Sequence, residues 1–383
     1  MKRLKRILPL MILVFAISSI AAQRGESPIR IFGYFQNSFQ QWTEEDNRQE
    51  LNSFSLQQLN LFFQKDLARN WTAFINFEFL NNFSSIRQWG SANLEEAWVK
   101  FRLNEKFNLK LGLQIPIFNN LNTIKNRTPL LPYIIRPIAY ETSFNEIIPL
   151  EELAPARAFA QVYGFLSAGK LKVDYAAYLG NSPNINNDRN RGPTGLDTSN
   201  TILVGGRLGI RFRELKLGIS ATRENRGDFR SLAPLFGRPL SALEEVPSVR
   251  LGGDFSLNVA NFSFESEFIN VNINDNIPEF ELDLDFYYGT LGYYLTDQLF
   301  LYGSYWVIKS RIELLFLQNG FIDDEEVVVP NAGISYNLND RIHLKGQFAR
   351  VRDHDIEFDS SGVLNSDTKD NFSVYALAVS IFF

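Results

Sequence analysis

The chain of 383 residues contains no cysteine and only two histidines. Without cysteine there is no disulfide framework and no thiolate metal centre. Two histidines are too few for a histidine-based catalytic metal site, so metal and cofactor are both expected to be none. After the first 20 residues no stretch approaches 18 consecutive apolar residues, so no later segment reads as a membrane-crossing helix. Helical periodicity is almost missing as well. Basic charge is not in surplus: 38 Lys and Arg stand against 43 Asp and Glu, a net charge of −5. A nucleic-acid partner, which favours a basic footprint, is therefore not expected.

What is present starts with Met1-Lys2-Arg3-Leu4-Lys5-Arg6, an apolar run from Ile7 to Ile20, and the small residues Ala21-Ala22. A basic flank, an apolar stretch shorter than the roughly 20 residues of a spanning helix, and small residues are the layout of a secretory signal peptide. Residues 1–22 are expected to be removed after Ala22, with Ala21 the alternative, leaving 23–383 as one domain. Losing the four cations of the leader moves the net charge from −5 to −9.

From Ile29 onward the pattern has period 2, which places alternate side chains on opposite faces of a strand. Ala73, Ile75, Phe77 and Phe79 alternate with Thr72, Asn76 and Glu78. Ala97, Val99, Phe101 and Leu103 alternate with Glu96, Lys100 and Arg102. Phe107, Leu109, Leu111, Leu113 and Ile115 alternate with Asn108, Lys110 and Gln114. Leu171, Val173, Tyr175 and Leu179 alternate with Lys172 and Asp174. Val249, Leu251, Phe255 and Leu257 alternate with Arg250, Asp254 and Asn258.

The breaks between these runs fall into two sets. Leu67–Asn70, Asn104–Lys106, Ser167–Lys170, Arg213–Glu214, Asn258–Asn261, Thr296–Gln298 and Asn339–Asp340 read as tight turns. Segments 41–52, 81–92, 116–156, 181–200, 225–245, 270–280, 314–326 and 352–370 read as long polar loops. Seven turns and eight loops separate sixteen strands. Short turns at one end and long loops at the other are the layout of an all-β, antiparallel transmembrane barrel, with the turns periplasmic and the loops extracellular. A β-sandwich shows similar alternation but would not divide its connections so. Aromatic residues, 14% of the chain, suit the girdles at the two membrane interfaces. A sixteen-strand barrel is too wide to be filled by its own side chains, so the polar face is expected to line an aqueous lumen.

The third loop, 116–156, is the longest and carries six prolines. Its apolar run Leu130-Leu131-Pro132-Tyr133-Ile134-Ile135 is poorly suited to water, so it is expected to fold into the pore as a constriction. It holds Lys125, Arg127 and Arg136 against Glu141, Glu146, Glu151 and Glu152. On the inward parity of strands four to ten lie Lys100, Arg102, Lys110, Arg157, Lys172, Arg207, Arg211, Lys216 and Arg250, interrupted by Glu78, Glu96, Asp174 and Asp254. Glu265, Glu267, Glu281, Asp283 and Asp285 are expected on the opposite wall. Segregated charge across a narrow pore would orient solutes and set ion preference.

Other constellations carry less. His343 shares an inward face with Lys345 and Gln347, with no Ser or carboxylate expected beside it on that face, so nucleophilic chemistry lacks a partner. Asp353-His354-Asp355 and Asp323-Asp324-Glu325-Glu326 are expected at solvated loop tips. Leu203–Gly209 is glycine-rich but reads as strand, not as a phosphate cradle before a helix.

The last residues, Val374 to Phe383, place Tyr375, Leu377, Val379, Ile381 and Phe383 on one face and Ala376, Ala378 and Ser380 on the other. This resembles the C-terminal signal of bacterial outer-membrane barrels, which implies recognition by the barrel-assembly machinery through the strand ending at Phe383. Leu94-Glu95-Glu96-Ala97-Trp98-Val99-Lys100-Phe101, followed by Leu109 to Phe118 with its Gly112 and Pro116, resembles a hairpin of the phosphate-selective-type outer-membrane porins. That resemblance implies a Gram-negative outer-membrane location, contact with membrane lipid, a homotrimer, and a third loop narrowing each pore. Anion-selective members carry basic residues there; three cations against four carboxylates in loop three is a departure. The expectation is a passive diffusion channel for small hydrophilic solutes or ions, anions such as phosphate among them. An adhesin or scaffold barrel, and a barrel hydrolase, are the competing readings. A plugged active transporter lacks room for a plug before Ile29.

Overall fold

The computed structural model describes residues 27–44, 50–82, 91–125, 127–140, 153–155, 157–181, 202–226, 246–274, 280–314, 322–358 and 363–383. The leader expected at 1–22 lies outside the described residues.

Sixteen strands follow one another along the chain: β1 (Arg30–Glu44), β2 (Glu50–Ala68), β3 (Trp71–Asn82), β4 (Ser91–Arg102), β5 (Asn108–Gln114), β6 (Ala158–Ala168), β7 (Leu171–Asn181) and β8 (Ile202–Phe212). The second half comprises β9 (Leu215–Arg226), β10 (Val246–Val259), β11 (Phe262–Asn274), β12 (Phe280–Tyr294), β13 (Leu299–Leu314), β14 (Ile322–Asn339), β15 (Ile342–Phe358) and β16 (Leu364–Phe382). Each pairs antiparallel with its neighbours in sequence, and β1 pairs with β16, so the sheet closes. All seven short turns fall where they are expected, six of them at Gly, Asn or Asp and one at Arg213–Glu214. Arg213 and Ala260 take positive φ there, 53° and 50°.

The outward face of the half nearest the short turns is a band of exposed apolar side chains. Ile75, Phe77, Leu208, Ile210, Ile219, Leu251, Leu291, Leu344, Tyr375 and Leu377 belong to it. Exposed contiguous apolar surface on this scale is stable only against another apolar phase.

The strands on one side outrun expectation. β16 and β2 are 19 residues long and β14 is 18, against the 9–11 that a bilayer crossing needs. Loops expected at 41–52, 270–280, 314–326 and 352–370 are correspondingly shorter. Asp323-Asp324-Glu325-Glu326 lies within β14 and Asp353-His354-Asp355 within β15, not at loop tips. In these extensions the faces exchange character. Ile269, Val271, Ile273, Phe286, Trp306, Ile308, Val327, Val329 and Val351 point inward and are buried. Asp283, Asp285, Lys309, Arg311, Asp324 and Glu326 take the outward parity. Glu281, Asp283 and Asp285 are therefore not on the inner wall: Leu284 and Phe286 hold that side of β12, while Asp285 accepts from Asn270 at 2.9 Å and Asp283 from Asn272 at 2.5 Å.

That inward apolar wall receives the third loop, 115–157, which carries three short 3-10 turns. Phe118, Leu121, Ile135, Ile138, Tyr140 and Leu153 of the loop form one core with the upper inner faces of β11–β16. The inner face is therefore not polar throughout, as alternation alone suggests. Ile115, expected on the lipid side, lies just past the end of β5 and is only 6% exposed.

Candidate functional site

The third loop is fastened across the barrel by inward-facing polar side chains from widely separated strands. On β15, Gln347 accepts from the Ile134 and Ile135 amides, each at 2.8 Å, and donates to the Ile135 carbonyl at 3.1 Å. Lys345 lies fully buried beneath the loop. Its Nζ donates to Gln36 Oε1 at 2.9 Å and to the carbonyls of Thr128, Pro129 and Tyr133 at 2.9, 3.2 and 3.3 Å. On β2, Gln57 donates to the Ile134 carbonyl at 2.7 Å and Gln58 accepts from the Thr128 amide at 3.2 Å.

On β11, Glu267 accepts from the amides of Asn120 and Leu121 at 2.9 and 2.6 Å and from the Tyr140 hydroxyl at 2.7 Å. Tyr133 donates to Glu265 and also to Thr290. Burial, and then the neighbouring carboxylates, push both loop hydroxyls well above the usual tyrosine range, so Tyr133 and Tyr140 remain donors. Glu265 and Glu267 are inward as expected, yet they hold the loop instead of facing a wet pore. A buried loop backbone must find partners, and these side chains supply them. Glutamine anchors such as Gln57 and Gln347 carry no sequence signature, and only the fold reveals them.

The start of the loop also bonds the opposite wall, Ile117 amide to Gln161 on β6 and Asn119 amide to Ser220 on β9, each at 2.9 Å; the cations expected on the inner face cluster along β4–β9. Lys100 and Lys110 stand directly opposite each other in the β4–β5 register. Both lie over the Trp98 ring, at 6.0 and 4.4 Å from its centroid. Lys172 is opposite Arg211, which is opposite Lys216. Arg102, Lys172 and Arg211 are exposed; Lys100, Lys110 and Lys216 are half-buried. Like charges placed opposite one another across strands repel, and Glu96 and Asp174 interrupt them on the same wall, Asp174 accepting from Arg211 at 3.0 Å. From the loop, Arg127 approaches Glu96 at 3.8 Å.

Other candidate cations have structural partners. Arg207 grips Asp254 with two bonds of 3.0 and 2.7 Å, reaches Asp174, and touches Asn120 of the loop at 3.3 Å. Gly209 and Gly218 face each other in register, and a Cβ on either would strike the Arg207 guanidinium at 2.7 or 2.3 Å. Arg211, itself on the cationic wall, shares Asp174 at 3.0 Å while staying exposed. Arg250 points inward but is fully buried, in an ion pair with the equally buried Glu224 at 2.5 Å. Arg136 is buried and bonds the Lys125 carbonyl; Lys125 lies 5.9 Å from the Tyr140 ring centroid. Arg157 sits half-buried just before β6. Glu141, Glu146, Glu151 and Glu152 lie outside the described residues.

His343 does have a hydroxyl neighbour: Ser380 stands opposite it in register, a correction to the sequence reading. The Ser380 hydroxyl donates to Gln36 at 2.7 Å, and the imidazole rests against Phe382 with centroids 4.8 Å apart. That pairing serves packing. Among the described residues no group of three or more potential metal ligands gathers.

No protein-family model matches the chain, nor does any curated protein. Solved structures do. The outer membrane channel DcaP of Acinetobacter baumannii superposes with a TM-score of 0.59 at 12% identity, covering 94% of this chain and 98% of that one. An anion-selective porin from Comamonas acidovorans gives 0.56 at 10% identity, with 94% and 100% covered. OmpT of Vibrio cholerae, solved in a trimer form, gives 0.54 at 11% identity, with 93% and 99% covered. At such identities the likeness is one of fold: a closed, sixteen-stranded antiparallel barrel of porin architecture.

Proposed function

We propose that this protein is a porin, a passive diffusion channel in the outer membrane of a Gram-negative bacterium that favours small hydrophilic anions. The short turns would face the periplasm and the long loops the exterior. The observation that carries the reading is the division of the interior. One side is filled by a bolted third loop, and the other presents Lys100, Arg102, Lys110, Lys172, Arg211 and Lys216 with Arg127 facing them. A fixed loop narrows the passage without closing chemistry, and a cationic low-dielectric wall concentrates anions.

The third loop is thus read as the constriction. Phosphate selectivity in particular is a finer proposal, supported only by the basic wall and the hairpin of residues 94–118. A homotrimer is proposed by analogy with OmpT. Catalysis is not part of the reading, because His343 and Ser380 are committed to packing and to Gln36. The direct test is reconstitution of the folded protein in a planar lipid bilayer. Stable, ohmic conductance steps support the channel; a folded barrel that inserts without conducting would favour the scaffold reading instead.

A further inference from the structure

Along one rung of the inner wall the charge changes sign. Lys172, Arg211 and Lys216 stand opposite one another on β7, β8 and β9. Lys216 then faces Ser256 on β10, Ser256 faces Glu265 on β11, and Glu265 faces Thr290 on β12. At the change of sign lies a niche of about 200 Å³, lined by Lys216, Ser256 and Glu265 and by Asn120, Leu121 and Ile124 of the third loop. One small side chain, Ser256, separates the two charges.

The charges that meet there are left open. Arg211 is already held by Asp174. Lys216 is half-buried and, among the described residues, has no hydrogen bond or ion pair. Glu265 gives one oxygen to the Tyr133 hydroxyl, and its other oxygen has no partner among the described residues. Neighbouring strands lie about 4.8 Å apart, so the backbones of Lys216 and Glu265 are only about 10 Å apart. Both side chains are long enough to meet across that gap, yet no ion pair joins them. The next rung offers Lys216 nothing either. Glu267 is taken up by the Asn120 and Leu121 amides and the Tyr140 hydroxyl, and Asp254 by Arg207.

We infer that the niche is a subsite for a small zwitterion of the α-amino acid class. Its carboxylate lies on Lys216, its ammonium on the open oxygen of Glu265, and the Ser256 hydroxyl between them. The inference rests on the reading of the chain as a diffusion channel and narrows the class of solute. Opposite charges held apart by one strand match a molecule that carries both charges a few bonds apart, each gaining a charge-assisted bond of about 2.8 Å. A simple anion that finds Lys216 also meets Glu265, and a simple cation that finds Glu265 also meets Lys216; both are rejected in part by a like charge. The volume corresponds to about six waters at about 30 Å³ each, which keeps the solute small.

The test is single-channel recording of the folded, full-length protein in a planar bilayer with L-alanine, L-lactate or L-alaninamide added. Lactate exchanges the ammonium for a hydroxyl, and alaninamide exchanges the carboxylate for an amide. Alanine is expected to halve the potassium chloride current at a concentration at least about tenfold below either analogue. K216Q is expected to lose the preference over alaninamide. E265Q, which keeps an acceptor for Tyr133, is expected to lose the preference over lactate, and S256L to weaken block by alanine. K216Q alone decides if E265Q does not fold, because Lys216 bonds no part of the loop. Lactate or alaninamide as effective as alanine on the wild type would overturn the subsite. So would block by alanine that K216Q leaves unchanged. Saturation-transfer NMR with the same compounds and preparations separates the two readings. A conducting barrel without a preference for alanine refutes only the subsite, whereas a silent barrel that binds alanine through Lys216 refutes only the channel.

Discussion

Gly33 and Phe383 exchange two backbone hydrogen bonds, Gly33 amide to Phe383 carbonyl at 2.9 Å and Phe383 amide to Gly33 carbonyl at 3.0 Å. This pair ends the seam at which β1 meets β16 and the sheet becomes a ring. Closure removes the unpaired edges that would otherwise be costly in an apolar phase. The Phe383 ring lies over Gly33, where a Cβ would sit 2.9 Å from the ring and 2.3 Å from the Asn60 carbonyl oxygen.

Gly33→Val should therefore push β1 away from Asn60 of β2 and from the Phe383 ring at the seam and cost about 1–3 kcal/mol, the usual scale for overpacking. Folded barrels migrate differently from unfolded ones on unheated gels, so the temperature of that mobility change is the readout. It should fall for Gly33→Val, while Gly303→Ala, where a Cβ meets open space, should leave it unchanged.

Lys345 is the pin of the third loop. Lys345→Met keeps the bulk of the stem and removes the donor from Gln36 Oε1 and from three loop carbonyls. Each buried acceptor left without a partner costs about 1–3 kcal/mol, enough to free the loop locally. Single-channel conductance should rise and become noisier. Unchanged, quiet steps would show that the apolar core of the loop holds it unaided.

Much of this molecule is legible in its residues, and the failures share one cause. Turn chemistry at Asn104–Lys106, Arg213–Glu214 and Asn339–Asp340 locates one end of the barrel, and alternation such as Ile75 and Phe77 against Asn76 and Glu78 identifies strands. Period 2 says that a strand has two faces; it does not say which is inside. Near the short turns the outside is apolar, so Leu208 and Ile219 point out. Farther along the same strands the outside is charged and the inside meets the third loop, so Val271 and Phe286 point in. Polarity alone points Asp283 and Asp285 inward, but it marks the lumen only near the short turns and not at every height. For the same reason the charged ends of β14 and β15 read as loops in the sequence although they are strand. The apolar run Leu130 to Ile135 did signal an inward fold; the wall awaiting it did not.

The buried pair of Arg250 and Glu224 separates inward position from pore lining. Arg250→Met should leave Glu224 as a buried charge without its guanidinium and destabilise the barrel by about 3–5 kcal/mol. R250M/E224L should recover much of that loss. Thermal mobility on gels reports the stability, and ion selectivity should be unchanged in whichever variant folds.

The basic wall makes the opposite prediction. Lys100 and Lys110 face each other over Trp98, so K100E/K110E exchanges two cations for two anions at one level of the passage. Chloride preference should fall several-fold or invert, with little effect on thermal stability because the lysines are partly wetted.

The most direct measurement is the reversal potential of the wild-type protein in a planar bilayer under a tenfold potassium chloride gradient. A cationic wall facing a fixed loop predicts a potential displaced toward the chloride equilibrium value. A potential displaced toward the potassium value, or no conductance from a barrel shown to be folded and inserted, would contradict the account.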